Sequence, residues 1–229
     1  MYDLFIANKN YSSWSLRPWV LLKQLDIPFK EHVQVFAAGP NWQAFRAFSP
    51  TGKVPCLHVD GDVVWDSLAI AEYLAERHPG VWPLDAAARA WARCAAAEMH
   101  SGFAALREIC SMNCGLRVRL HEEPAALQAD VARLVELWGQ GLSRFGGPFL
   151  AGARFSAVDA FFAPVAFRVQ TFGLGLPEAE QHYVDRLLAL PAMRQWYEEA
   201  LAEPWREPAH DDASLQYGAL LEDLRAPAV

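Results

Sequence analysis

Cysteine is scarce in this chain. Its 229 residues include four, Cys56, Cys94, Cys110 and Cys114. They are too few and too scattered for a disulfide framework, so reduced thiols in a cytoplasm are the simplest expectation. No pair has Cys-x-x-Cys spacing, which removes the usual dithiol redox motif. Cys110 and Cys114 stand four apart, but no histidine or further cysteine completes a metal set. Long apolar runs are missing too, and nothing approaches the ~20 residues of a membrane span. Met1 leads straight into Tyr2-Asp3-Leu4-Phe5-Ile6 without a basic stretch, so no leader is expected. Positive charge is in deficit, with 20 basic against 27 acidic side chains and a net charge of −7. That argues against broad nucleic-acid binding and against adhesion to an anionic membrane. No Gly-x-Ser-x-Gly elbow and no internal repeat occur.

What is present is order. With 53% apolar residues the chain is expected to fold around a core. Tyr2–Ala7 reads as a buried strand and Ser15–Leu25 as a helix, with Pro18 tolerated in its first turn. Glu31–Phe36 alternates, with Val33 and Val35 facing inward as a second strand. Gly39-Pro40 and Ser49-Pro50-Thr51-Gly52 break the chain on either side of a short helix at Trp42–Phe48. Val54–Val59 and Val63–Trp65 flank the hairpin turn Asp60-Gly61-Asp62. Asp66-Ser67 then caps a helix running to about Arg77. The order β-α-β-α-β-β-α resembles the thioredoxin fold. Pro79–Pro83 reads as a linker, after which strand signals nearly vanish. Helices are expected over Ala86–Ser111, Pro124–Phe145, Ser156–Phe172, Gln181–Leu190 and Ala192–Leu201, followed by a polar surface tail after Pro204. The fold class is thus α/β plus all-α: a thioredoxin-like domain at 1–78, a linker at 79–85 and an all-helical domain at 86–229.

Three short segments carry chemistry. Val54-Pro55 reads by itself as a trans edge-strand proline; in a thioredoxin-like layout the expectation turns to a cis bond, with the Val54 backbone open to pair with an extended peptide. Asp66-Ser67 opens a helix, whose N-terminus binds a carboxylate while Asp66 holds an ammonium; together these match an amino-acid head group. Ser12, Ser13 and Ser15 lie where a strand turns into a helix. Ser15 is best placed to cap a helix beginning at Leu16. A hydroxyl further out can donate to a thiolate and lower its pKa from ~8.5.

These segments resemble the cytosolic glutathione transferases. The matching residues are Ser12-Ser13-Trp14-Ser15-Leu16-Arg17, Ser49-Pro50-Thr51-Gly52-Lys53-Val54-Pro55, Asp66-Ser67 and the capping box Phe155-Ser156-Ala157-Val158-Asp159. The serine run is similar to the serine-type classes, zeta most closely, although Trp14 stands where zeta members carry a cysteine. The resemblance implies Ser12 as the thiol-activating residue, with Ser13 as the near alternative and Arg17 supporting the loop. It implies glutathione as co-substrate and no metal. It puts Lys53 near the glycyl carboxylate, Val54-Pro55 against the cysteinyl backbone and Asp66-Ser67 on the γ-glutamyl head group. Met99, His100 and Phe103 are implied as lining for a small electrophile. Arg117 and Arg119 are expected to be solvated, with contact to an anionic electrophile as the alternative. A cytoplasmic homodimer is the implied state. The implied activity is thiol transfer to an electrophile; glutathione-dependent isomerisation, reductive dehalogenation and a non-catalytic binding role remain alternatives on the same scaffold.

Overall fold

The computed structural model describes residues 1–36 and 42–225. The expected break at Gly39-Pro40 lies outside the described residues. The N-terminal elements are β1 (Tyr2–Ile6), α1 (Ser13–Gln24), β2 (Phe29–Val33), α2 (Trp42–Arg46), β3 (Cys56–Val59), β4 (Asp62–Val64) and α3 (Ser67–Ala75). They form a four-stranded sheet of order β2-β1-β3-β4. β1 runs parallel to β2, with Leu4 opposite Glu31, and antiparallel to β3, with Phe5 opposite Cys56. This is the thioredoxin-like arrangement. Alternation along β1 divides its two faces. Leu4 and Ile6 are fully buried in the core shared with Leu16, Trp19 and Val20 of α1. Phe5 points the other way and stacks on both His32 and Phe48 at 4.6 Å.

Two local expectations change. α1 begins at Ser13, not Leu16, because Asn8 O accepts from the N–H groups of Tyr11 (3.2 Å) and Ser12 (2.9 Å) and turns the chain early. Ser15 is therefore no cap. It sits inside the first turn, and its Oγ accepts from the Ala7 N–H at 3.1 Å. Pro18 consequently falls in the second turn, where it leaves the Trp14 carbonyl without a helical donor. β2 also starts earlier than its alternation suggested. Phe29 packs edge-on against Trp19, and Glu31 is drawn inward by Lys9 Nζ at 2.9 Å. Val33 is left outward, 41% exposed.

The remaining elements are α4 (Ala86–Ser101), α5 (Ala104–Ile109), β5 (Leu116–Leu120), α6 (Ala125–Phe145), α7 (Ala157–Phe172), α8 (Glu178–Ala189), α9 (Pro191–Ala202), α10 (Pro208–Leu215) and β6 (Gly218–Asp223). α7 is the buried axis of this helical half. Asp159 closes its capping box, accepting from the Ser156 N–H at 2.9 Å, the Leu150 N–H at 3.0 Å and the Tyr183 hydroxyl at 2.9 Å. Trp138, Trp196, Phe161 and Phe162 are fully buried around it. Each such side chain contributes roughly 2–3 kcal/mol of transfer free energy.

The single helix expected over Ala86–Ser111 is broken. Gly102 ends α4 where a Cβ would lie 2.9 Å from the Glu98 carbonyl oxygen, and Phe103 turns left-handed with φ 56°. Arg107 holds the corner by donating to the carbonyls of Gly102 (2.9 Å), His100 (3.3 Å) and Met99. Nor is the segment after Pro204 a loose tail. It forms α10 and then β6, which pairs antiparallel with β5 as a two-stranded ribbon appended to the helices. Gly218 permits that pairing, since a Cβ there would meet Val118 Cγ1 at 2.5 Å. No helix among the described residues is long and apolar enough to cross a membrane.

Candidate functional site

A cavity of about 510 Å³ opens where the β1–α1 loop, the strand-entry loop before β3, the α5 corner and α10 converge. Ser12, Ser13, Lys53 and Val54 all line it, so the structure brings these sequence-selected residues together. The Val54–Pro55 bond is cis. Pro55 is buried directly behind Val54 and leaves the cavity edge to Val54 and Lys53.

Ser12 occupies the N-cap position of α1 and is nearly buried. Its hydroxyl donates to Ser15 Oγ at 2.7 Å, so Ser15 acts as the anchor behind it rather than as the helix cap. The first N–H groups of α1 face the same end, where the helix dipole favours negative charge.

Asp66 and Ser67 lie at the start of α3, outside the residues that line this cavity. Asp66 Oδ1 caps the helix, accepting from the Leu68 N–H at 2.9 Å, a contact worth ~1 kcal/mol. Its Oδ2 stands 3.3 Å from His100 Nε2. Ser67 is buried, and its Oγ has no hydrogen-bond partner. A buried hydroxyl left unpaired costs free energy, so this one is suited to a ligand oxygen.

The helical side of the wall differs from the sequence expectation. Met99 and Phe103 are buried in the core and do not line the cavity. His100 sits behind it, edge-on to Trp14 at 5.3 Å and bonded to Asp66. Burial lowers the His100 pKa, with Asp66 pulling the other way. The wall is formed instead by Arg107, Ser111, Met112 and Arg168. The corner at Gly102-Phe103 swings this turn inward, and the smooth alanine-rich periodicity of α4 concealed it. Arg168 is 4% exposed, and burial pushes its guanidinium down to about 10. It donates to the Cys110 carbonyl, while its Nε has no partner. Arg17 lies behind Trp14, 4.2 Å from that ring and 4.9 Å from Phe161. Its Nε and Nη1 are unpartnered, and burial with the nearby Arg107 and Arg168 holds its pKa well below the usual range. Arg117 is tied to the Tyr197 hydroxyl at 3.0 Å, and Arg119 is exposed.

The last wall residue is His210 of α10, which sequence reasoning passed over within the presumed tail. Among the described residues, no group of His, Cys, Asp and Glu could hold a metal ion.

Comparison with known proteins agrees with this geometry. Residues 11–77 match the family model for the glutathione S-transferase N-terminal domain, and residues 85–199 match that for the C-terminal domain. The maleylacetoacetate isomerase of Pseudomonas aeruginosa is 29% identical over 204 residues, covering 84% of this chain and 93% of the relative. A probable maleylacetoacetate isomerase of Caenorhabditis elegans is 28% identical over 171 residues, covering 72% and 77%. Among solved structures, a glutathione transferase homolog from Burkholderia with bound glutathione superposes with a TM-score of 0.66 at 25% identity. The match covers 87% of this chain and 97% of that one.

Proposed function

Because this chain belongs to the glutathione S-transferase family, we propose that it binds glutathione along Asp66-Ser67, Val54 and Lys53, and uses the Ser12 hydroxyl to hold the thiol as a thiolate. The observation that carries the reading is the convergence of Ser12, Ser13, Val54 and Lys53 on one cavity at the N-terminus of α1. The residues fit the tripeptide. Ser67 Oγ is a buried hydroxyl without a partner, suited to the head-group carboxylate beside the α3 N-terminus. Asp66 supplies a counter-charge for the ammonium. Val54 offers extended backbone for the cysteinyl residue. Ser12, with the α1 N-terminus, lowers the thiol pKa, and the thiolate then attacks an electrophile from the helical side. Residues 1–78 would hold the thiol peptide, 79–85 link, and 86–229 supply the second substrate's side.

The test is retention on immobilised glutathione together with conjugation of a neutral aryl halide. No retention, and equal activity in Ser12→Ala, would sink the reading and favour a non-catalytic binding role.

A second reading, glutathione-dependent isomerisation of an acidic substrate, is supported by Arg107 and Arg168 on the helical wall. Guanidinium groups suit a carboxylate and are wasted on a neutral aryl halide. It agrees with the names of the relatives; Trp14 in the serine run speaks against a plain zeta assignment. Side-by-side turnover of a maleyl-type acid and an aryl halide separates the two readings. A chain that turns over only haloalkanes would overturn both in favour of dehalogenation. We further propose a homodimer, checked by sedimentation at low micromolar concentration; a monomer there refutes it.

A further inference from the structure

The chain beyond residue 199 falls outside both family matches, yet it walls the cavity. It is fastened there through the residue next to Ser12. The Tyr11 hydroxyl accepts from Arg225 Nη1 at 2.7 Å and from the Glu207 N–H at 3.2 Å, and it donates to Asp211 Oδ2 at 3.1 Å. Glu203 adds its carboxylate to the N–H groups of Lys9 (2.6 Å) and Asn10 (3.2 Å). The segment is thus bonded into the β1–α1 loop along its length.

His210 is the group it contributes. The imidazole stacks on Phe36 at 5.0 Å and 19°, and leans on Tyr11 at 5.1 Å. Phe36 in turn stacks on Phe45 at 5.7 Å, beside Gly52 and Lys53 on the same cavity wall. Nδ1 stands 2.6 Å from Glu207 Oε2, and the same carboxylate oxygen accepts the His210 backbone N–H at 2.8 Å. Nδ1 is therefore committed to a nearly buried Glu207, which leaves Nε2 for a ligand.

We propose that His210 is a binding residue for the glycyl carboxylate of glutathione, shared with Lys53, and that Glu207 is its positioning residue. The inference rests on the reading of the cavity as the glutathione site and deepens it. If the head group lies at Asp66-Ser67 and the cysteinyl residue at Val54, the remaining end of the tripeptide points toward Lys53 and His210. In that complex Nδ1 faces Glu207 and Nε2 faces the glycyl carboxylate. The aromatic pair Tyr11 and Phe36 keeps the ring from swinging away.

The experiment compares glutathione with its glycyl monoethyl ester, which lacks that carboxylate, by calorimetry on the full chain. His210→Phe keeps the stacking and removes the ring nitrogens. Its Kd for glutathione is expected to rise about 10-fold, the effect of losing one charge-assisted hydrogen bond, while its Kd for the ester stays at the wild-type value. Glu207→Gln should shift the glutathione Kd in the same direction by less. His210→Gln, which keeps one donor, should recover part of the loss. An equal weakening toward both ligands would show only a packing role and overturn the proposal, as would an unchanged glutathione Kd. Wild type that binds neither ligand would instead overturn the glutathione reading itself.

Discussion

Replacing Ser12 with alanine is expected to raise the pKa of a thiol bound in the cavity by about one unit. A charge-assisted hydrogen bond contributes about 1.5–3 kcal/mol. The Ser12 proton first has to leave Ser15 Oγ, where it makes a 2.7 Å neutral bond, and that bond is worth about 1 kcal/mol. The difference, about 0.5–2 kcal/mol, centres on about one pKa unit. The α1 N-terminus survives the substitution and keeps its own 0.3–1 kcal/mol for the anion. Ultraviolet difference titration of thiolate in the glutathione complex reads the shift directly. Below both pKa values the single-turnover rate of Ser12→Ala should be about 10-fold lower than wild type, and the two should converge at high pH. Ser13→Ala should titrate as wild type. If Ser13→Ala moves the thiol pKa and Ser12→Ala does not, the roles are exchanged. If neither does, activation by this serine run is refuted.

Further outcomes follow from individual contacts. Tyr11→Phe removes the acceptor of Arg225 and of the Glu207 N–H; it should cost about 1–3 kcal/mol, lower Tm by several degrees and expose residues 204–225 to proteolysis. Unchanged Tm and unchanged protection would show that the hydroxyl does not fasten the segment. Burial pushes the Asp159 carboxyl up from an ordinary 3.8 to about 6, against the pull of its donors. A raised folded-state pKa means its contribution is complete below about 3.8 and is lost as pH rises through about 6. Urea unfolding from pH 4 to 7.5 should therefore show wild type losing ground to Asp159→Asn, by up to about 3 kcal/mol in total; the opposite slope refutes the assignment. Alkylation of the native protein should label exposed Cys94 alone, since burial raises all three other thiols, Cys56 to about 11 and Cys110 to about 12. Peptide mass spectrometry showing Cys56 modified first would contradict this.

Legibility in the sequence tracks how local each signal is. Asp66-Ser67, Val54-Pro55 and the Ser156–Asp159 box declare themselves within a few residues, because caps and strand entries depend on their neighbours. Ser15 departs from its expected capping role because its partner, the Ala7 N–H, lies eight positions back across a turn that only Asn8 O creates. Val33 faces outward, against its alternation, because an ion pair of Lys9 with Glu31 fixes the inward register of β2. β5 carries no hairpin signal, because its partner strand comes about a hundred residues later as Gly218–Asp223. The same distance hid half of the site. Ser12, Ser13, Lys53 and Val54 sit in motifs. Arg107, Arg168 and His210 reach the cavity through a helix break, a buried helix and a C-terminal return, none of which has a local signature.

The charge balance of the site runs against that of the chain. The protein carries −7 overall, yet the cavity lining holds four basic side chains, Lys53, Arg107, Arg168 and His210, and no carboxylate among the described residues, with Arg17 behind Trp14. Arg168 and Arg17 are buried, so these two charges are screened little by salt. Burial, then Arg107 and Arg168, depress Arg17, and burial, then Arg107, depresses Arg168, so like charge adds to the cost of both buried guanidinium groups. An anion entering the cavity relieves that repulsion, whereas a neutral ligand does not. Glutathione brings carboxylates and, once activated, a thiolate, and an acidic co-substrate would add another negative group. On the proposed reading, the arginine set would bias the second substrate toward anions whichever serine holds the thiol. A maleyl-type acid should then turn over faster than a neutral aryl halide in the same preparation.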